Sequence, residues 1–211
     1  MESIGCLEII KATGGTLICG RTNIEFRNIS TDSRQITGEG DLFIPIVGER
    51  FDGHDFIGKA LELGAAGSLT HKETQAVEGK VIIKVDDTLK ALKDIAAYYR
   101  QKFDIPFVGI TGSVGKTTTK EMVASVLAQK FNVLKTEGNY NNEIGLPLTV
   151  LRLNSEHQTA VLEMGMSGFG EISRLTSIVN PHIAIITNIG MSHIEKLGSR
   201  ENILKAKMEI L

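Results

Sequence analysis

Residues 111–119 read Thr-Gly-Ser-Val-Gly-Lys-Thr-Thr-Thr, at the end of the apolar run FVGIT (107–111) and at the start of a segment whose apolar residues recur at helical spacing. A glycine-rich turn between a buried-type strand and a helix restricts the fold more than any other feature, since it belongs to a parallel sheet covered by helices. Its chemistry is specific. Gly112 and Gly115 let backbone N–H groups curl around phosphate oxygens, the helix N-terminus adds a positive dipole end, Lys116 supplies a point charge, and Thr117 offers a hydroxyl to Mg²⁺. Thr111, Ser113, Val114 and Thr118 complete the candidate nucleotide-binding stretch. The longer form of the pattern places glycine where this chain has Ile110, but the Gly-Lys-Thr end makes most of the phosphate and metal contacts. A small GTPase reading is weakened because no N-K-x-D guanine motif occurs.

From Pro106 onward strands and helices alternate: 107–111, a helix over 117–131 with Met122, Val123, Val126, Leu127 and Phe131 inward, then 132–136, an Asn- and Gly-rich loop, 159–165, a helix over 171–179, 182–189, and a closing helix from about Arg200. Upstream, the residues predict short strands at 16–30, 41–48 and 81–85, a helix near 56–63 ending at Gly64, and a helix from Thr88 to about Phe103. The expected class is α/β, in two domains of 1–84 and 85–211.

Composition narrows the function classes. With 23 basic and 25 acidic residues, the net charge of −2 gives no electrostatic support to nucleic-acid binding. No run approaches the roughly 18–20 apolar residues of a membrane span, and the N-terminus lacks the pattern of a signal peptide, so a cytoplasmic protein is expected. Cys6 and Cys19 match no metal or disulfide pattern.

A nucleoside triphosphate with Mg²⁺ requires more ligands than one threonine, and in an open parallel sheet these stand at the carboxyl ends of strands. Glu163, at the end of TAVLEMG, and His193, just after HIAIITNIGMS, fall there. Taken singly, Glu163 fits a solvated or capping carboxylate equally well, and His193 fits a structural loop histidine better than a ligand.

In combination, TGSVGKTTTKEM, GNYNNEIGLPLTVLRL (138–153), LEMGM (162–166), TNIGMSHIEKLGS (187–199) and KAKMEIL (205–211) resemble the central ATPase domain of the Mur ligases. STDSRQITGEGDLFIPIVGERFDGHDF (30–56) narrows the resemblance to the type that adds D-alanyl-D-alanine. It implies an ATP-dependent ligase of peptidoglycan synthesis that joins D-alanyl-D-alanine to UDP-N-acetylmuramoyl-tripeptide through an acyl phosphate. It also implies a small N-terminal substrate domain followed by an incomplete P-loop ATPase domain.

Carried over by position, Lys116 holds the β and γ phosphates, Thr117 and Glu163 bind one Mg²⁺, and His193 helps bind a second. Lys207 matches the lysine that the family converts to a carbamate ligand of the second metal; Lys205 is the competing register. Asn141 and Asn142 are candidate nucleotide binders. Ser30, Thr31, Asp32, Ser33 and Arg34, with Arg50 and His54, would bind the UDP end of the substrate, although an S-T-D-S turn capped by its own side chains explains the first group as well. The implied cofactors are ATP and Mg²⁺, and the expected protein is a monomer that inserts in no membrane. Other Mur-type ligases, and a chain that binds nucleotide and UDP substrate without turnover, are the alternative readings.

Overall fold

The computed structural model describes all residues, 1–211, and the chain divides into two compact units, Met1–Tyr99 and Arg100–Leu211. The fold is α/β in both.

In the first unit the strands are β1 (Ile4–Gly5), β2 (Thr16–Cys19), β3 (Glu25–Phe26), β4 (Asn28–Ser30), β5 (Asp41–Phe43), β6 (Gly67–Thr70) and β7 (Val81–Lys84), and the helices are α1 (Cys6–Thr13), α2 (Ile57–Glu62) and α3 (Thr88–Arg100). A five-stranded sheet runs β2-β7-β6-β5-β4, parallel from β4 to β7 with β2 antiparallel at one edge, while β1 and β3 pair separately. The four residues of β6 are all buried. A Cβ at Gly67 would lie 2.4 Å from the Val81 carbonyl oxygen, so the close approach of β6 to β7 requires glycine. Leu92, Ile95, Ala96 and Tyr99 form the buried stripe of α3. By its contacts this helix belongs with the first unit, whereas the sequence reading placed the division at 84/85.

In the second unit, β8 (Phe107–Thr111), β9 (Val133–Lys135), β10 (Thr159–Glu163) and β11 (Ile183–Ile186) form an all-parallel sheet in the order β11-β8-β10-β9. The helices are α4 (Lys116–Leu127), α5 (Gly145–Val150), α6 (Glu171–Val179), α7 (Ile194–Leu197) and α8 (Arg200–Met208). All five residues of β8 are buried, as expected of a strand flanked on both edges and covered on both faces. The register opposes Glu163 to Ile110, which sets the end of β10 beside the start of the glycine-rich loop.

Three expectations need correction. Helix α4 ends at Leu127 and buries Lys120 and Ala124, with Val123 and Leu127 packed on Val108, Ile110 and Val161. Met122 and Val126 point to solvent at 65% and 73% exposure, because two apolar stripes run along this helix and only one meets the sheet. The Asn- and Gly-rich loop contains α5, whose Leu146, Pro147 and Val150 are buried. The last strand stops at Ile186, and residues 187–192 turn onto the glycine-rich loop. No helix is long and apolar enough to cross a membrane.

Candidate functional site

Both loop glycines have a positive φ, and Gly112 is crowded as well. At its φ of +151° a Cβ would lie 1.9 Å from Thr187 Oγ1. Gly115 has open space around it but a φ of +82°, the left-handed region that glycine enters without cost. It ends the loop and starts α4, whose first helical bond runs from the Thr119 N–H to the Gly115 carbonyl at 2.9 Å. The N–H groups of Lys116, Thr117 and Thr118 therefore open the helix without intrahelical acceptors, as the first turn of any helix does. Lys116 Nζ bends back over the loop and donates to the Gly112 carbonyl at 3.0 Å. This is a cradle for phosphate oxygens.

Glu163 is 2% exposed. Its Oε2 accepts from the Thr117 hydroxyl at 2.9 Å, its Oε1 accepts from Asn141 Nδ2 at 2.8 Å, and its own N–H donates to Thr136 Oγ1 at 2.9 Å. All of these partners are neutral, and no lysine or arginine lies within ion-pair distance. A buried carboxylate with only neutral partners is costly unless a cation joins it. The donor set of one carboxylate and one hydroxyl beside a phosphate cradle suits Mg²⁺, which is held through one or two carboxylates together with substrate phosphates. No group of three or more His, Cys, Asp or Glu side chains could hold a metal without them.

Lys207, on α8, is 2% exposed. Burial, and secondarily the nearby charge of Lys116, lower its pKa to about 8. Lys205 is exposed. His193 is also exposed, has a φ of +64°, and its ring makes no hydrogen bond or ion pair. It directly follows residues 187–192, which bind the loop: Ser113 N–H donates to the Asn188 carbonyl at 3.1 Å and Val114 N–H to Asn188 Oδ1 at 3.0 Å.

In the first unit the 30–34 segment satisfies itself. Ser30 Oγ accepts the Asp32 N–H at 3.1 Å and donates to the Asp32 carbonyl at 2.9 Å. Asp32 caps the following turn through the Arg34 N–H at 3.0 Å and pairs with the guanidinium at 2.7–3.2 Å, which holds its carboxyl below the usual range. The Arg34 side chain remains 87% exposed. His54 is buried, and both ring nitrogens are engaged: Nδ1 lies 2.7 Å from Asp52 Oδ1, and Nε2 accepts the His71 N–H at 3.3 Å. That acceptance fixes the tautomer, so Nδ1–H donates to Asp52. Asp52 also takes Lys72 Nζ at 2.7 Å. Nearby, a concavity of about 300 Å³ is lined by Val47, His71, Asp86, Asp87, Thr88 and Leu89.

Two family models match the chain, the Mur ligase middle domain over residues 110–211 and the Mur ligase family, catalytic domain, over residues 25–100. The chain belongs to the Mur ligase family. It is 49% identical, over 90% of its length, to a UDP-N-acetylmuramoyl-tripeptide–D-alanyl-D-alanine ligase of Synechocystis sp., of which it covers 42%. It superposes on a crystal structure of MurF from Acinetobacter baumannii with a TM-score of 0.93 at 38% identity, covering 100% of this chain and 46% of that one. It also superposes on MurF ligase from Thermotoga maritima in complex with ADP, with a TM-score of 0.81 at 40% identity, covering 87% and 42%. The chain thus spans under half the length of these Mur ligases.

Against this family background the candidates sort by place. Lys116, Thr117, Asn141 and Glu163 come together at one end of the sheet, and Lys207 lies close enough to Lys116 to feel its charge. Asn142 does not point into the cradle: its Oδ1 accepts the N–H groups of Ile144 and Gly145 at 3.1 and 2.8 Å and caps α5. His54 supports a loop through Asp52 and His71, and Arg50 stands exposed on that loop.

The sequence reading missed two things. Lys120 is 1% exposed, and its Nζ donates to the Thr136 carbonyl at 2.7 Å and pairs with Glu121 at 2.9 Å, so it ties α4 to the residue that holds the Glu163 N–H. A lysine at helical spacing from Thr117, on the same face as Ala124, was the available signal. The second is the 187–192 segment, whose Thr187, Asn188 and Ser192 are all polar groups within reach of the loop.

Proposed function

We propose that this chain supplies the nucleotide-binding and UDP-substrate-binding parts of a ligase that joins D-alanyl-D-alanine to UDP-N-acetylmuramoyl-tripeptide. The observation that carries the proposal is Glu163, buried beside the phosphate cradle and held by Thr117 and Asn141 with no cation of its own. ATP transfers its γ-phosphoryl group to the terminal carboxylate of the tripeptide, and the amine of D-alanyl-D-alanine displaces phosphate from the acyl phosphate. Phosphorylation is needed because a free carboxylate is a poor electrophile. Mg²⁺, when bound, offsets the charge crowding between carboxylate and triphosphate.

The residues perform the remaining work. The first-turn N–H groups of α4 and the ammonium of Lys116 orient the β and γ phosphates. Thr117 and Glu163 would hold one metal ion, and His193 and Lys207 would, as the family resemblance implies, help hold a second. Lys207 suits conversion to a carbamate because its lowered pKa leaves more of the neutral amine that attacks CO₂; the ammonium first gives up one proton, the N–C bond then forms with loss of a second, and a cation becomes an anion. Burial favours this register over the exposed Lys205.

In the first unit, the turn at Ser30–Arg34, whose hydroxyl and carboxylate groups hold its own shape, sets the exposed guanidinium of Arg34, with exposed Arg50, toward the UDP end. A monomeric cytoplasmic enzyme of peptidoglycan synthesis is the corresponding biological setting.

The test is calorimetric titration of the chain with Mg-ADP and, separately, with UDP-N-acetylmuramoyl-tripeptide. Lys116→Ala is expected to abolish ADP binding and leave the UDP-substrate affinity unchanged. Unchanged ADP affinity in that variant would overturn the assignment of the cradle. Phosphate release and product mass, on adding D-alanyl-D-alanine and Mg-ATP, report turnover directly.

A further inference from the structure

Ser113 and Val114, at the apex of the phosphate loop, have all four of their backbone polar groups taken by residues 187–192. Ser113 N–H donates to the Asn188 carbonyl at 3.1 Å, and its carbonyl accepts the Ser192 hydroxyl at 3.2 Å. Val114 N–H donates to Asn188 Oδ1 at 3.0 Å, and its carbonyl accepts the Thr187 hydroxyl at 2.6 Å. A fifth bond runs from the Gly190 N–H to Ser113 Oγ at 2.9 Å. Asn188 alone takes both N–H groups, one with its backbone and one with its side chain. The Thr111 N-terminal to this loop is linked as well, since its carbonyl accepts the Thr187 N–H at 2.9 Å.

This pattern has two consequences. The apex N–H groups point to Asn188, so the donors offered to an anion are those of the first turn of α4 and Lys116. The apex also moves together with the strap, and the strap ends at His193, whose left-handed φ of +64° starts α7.

We propose that Asn188 is a positioning residue that couples occupancy of the phosphate loop to the placement of His193. The inference rests on the nucleotide reading of the preceding section and deepens it. A phosphate drawn into the loop shifts Ser113 and Val114, the Asn188 bonds carry the shift into residues 189–192, and the imidazole of His193 is reoriented. Without the side-chain oxygen of Asn188 the Val114 N–H loses its acceptor, and the loop and His193 respond separately.

The experiment uses the 211-residue chain with ADP as the probe, at constant pH. The imidazole Cε1–H resonance of His193, one of five histidines, is assigned by its loss in His193→Gln. In the native chain, saturating ADP is expected to displace this resonance. In Asn188→Ala, ADP affinity is expected to fall about fivefold to tenfold, the scale of one lost hydrogen bond, and the displacement at saturation to drop by more than half. A merely structural Asn188 would lower the melting temperature and leave the displacement intact.

An unchanged affinity, or a full displacement at saturation, overturns the proposal. If Asn188→Ala does not fold, Asn188→Ser, whose shorter side chain cannot reach the Val114 N–H, carries the same two measurements. Failure of the native chain to bind ADP, or equal binding by Lys116→Ala, would instead overturn the nucleotide reading and this inference with it. Loss of the coupling in the Asn188 variants alone bears on the strap.

Discussion

The Thr117 hydroxyl donates to Glu163 Oε2 at 2.9 Å, joining the first turn of α4 to the end of β10 across 46 residues of chain. The hydroxyl and the carboxylate are both groups that a divalent cation would take, and here each occupies the other. Glu163→Gln keeps the shape of the carboxyl and removes its charge. Because the native charge is buried among neutral donors, the variant is expected to melt at the same temperature as the native chain or above it. Mg-ADP affinity is expected to drop about tenfold or more, on the scale of one lost charged contact, while metal-free ADP affinity rises or stays constant. Titrations with Mg²⁺ and with EDTA, beside a thermal melt, separate these effects; a lower melting temperature with unchanged Mg-ADP affinity would show the carboxylate to be structural.

Gly112 and Gly115 yield different mutational signatures. Gly112→Ala drives a methyl group against Thr187 Oγ1 and its backbone, which is expected to cost about 1–3 kcal/mol for overpacking in a tight site, and it also bears the strain of a φ of +151°. Gly115→Ala meets no atom and pays only for its left-handed backbone, about 1 kcal/mol. Thr187→Ala, which deletes the clashing hydroxyl, should rescue part of the Gly112→Ala loss and none of the Gly115→Ala loss. Urea denaturation of the single and double variants gives the coupling energy.

The phosphate loop was legible because it is local: the strand, the glycines, the lysine and the threonine lie within the eleven consecutive residues 107–117. Glu163 was legible as a strand end and its pairing with Thr117 only through the family resemblance, while its contact with Asn141 was not legible, because that meeting depends on the strand order β11-β8-β10-β9 and on the register that opposes Glu163 to Ile110. The same limit explains α4. Its spacing carries two apolar stripes, and only the sheet decides that Ala124 goes inside while Met122 and Val126 stay in water. His54 shows the converse, a motif residue whose neighbours Asp52 and His71 use both ring nitrogens, so that its value lies in holding a loop.

Tyr99 supplies a pH signature for the first unit. It is fully buried, its hydroxyl accepts the Glu2 N–H at 2.7 Å, and burial pushes its pKa up to about 12. An unfolded tyrosine titrates near 10. Above that pH the unfolded chain loses its proton first, so the folded state binds more protons and stability falls with rising pH. The contribution is complete below about pH 10 and is lost progressively toward pH 12, on the order of 3 kcal/mol for a difference of about two pH units. Urea denaturation between pH 9 and 11.5 is expected to show a steeper decline in the native chain than in Tyr99→Phe; parallel curves would mean that Tyr99 ionises freely in the folded state.

Lys120 tests whether the support beneath Glu163 can be separated from the metal-binding group itself. Its ammonium holds the Thr136 carbonyl and Glu121, and Thr136 Oγ1 holds the Glu163 N–H, so the lysine acts two contacts away from the carboxylate. Lys120→Met preserves the bulk of the side chain and strands a buried carbonyl, at an expected cost of about 1–3 kcal/mol. Glu121 keeps a partner in Lys135, which limits the electrostatic part of that loss. If Thr136 transmits the change, Mg-ADP affinity should fall severalfold in Lys120→Met while metal-free ADP affinity moves little, since the phosphate loop itself is untouched. Equal losses with and without Mg²⁺ would place the effect in the helix and its loop, and would break the proposed link from Lys120 through Thr136 to Glu163.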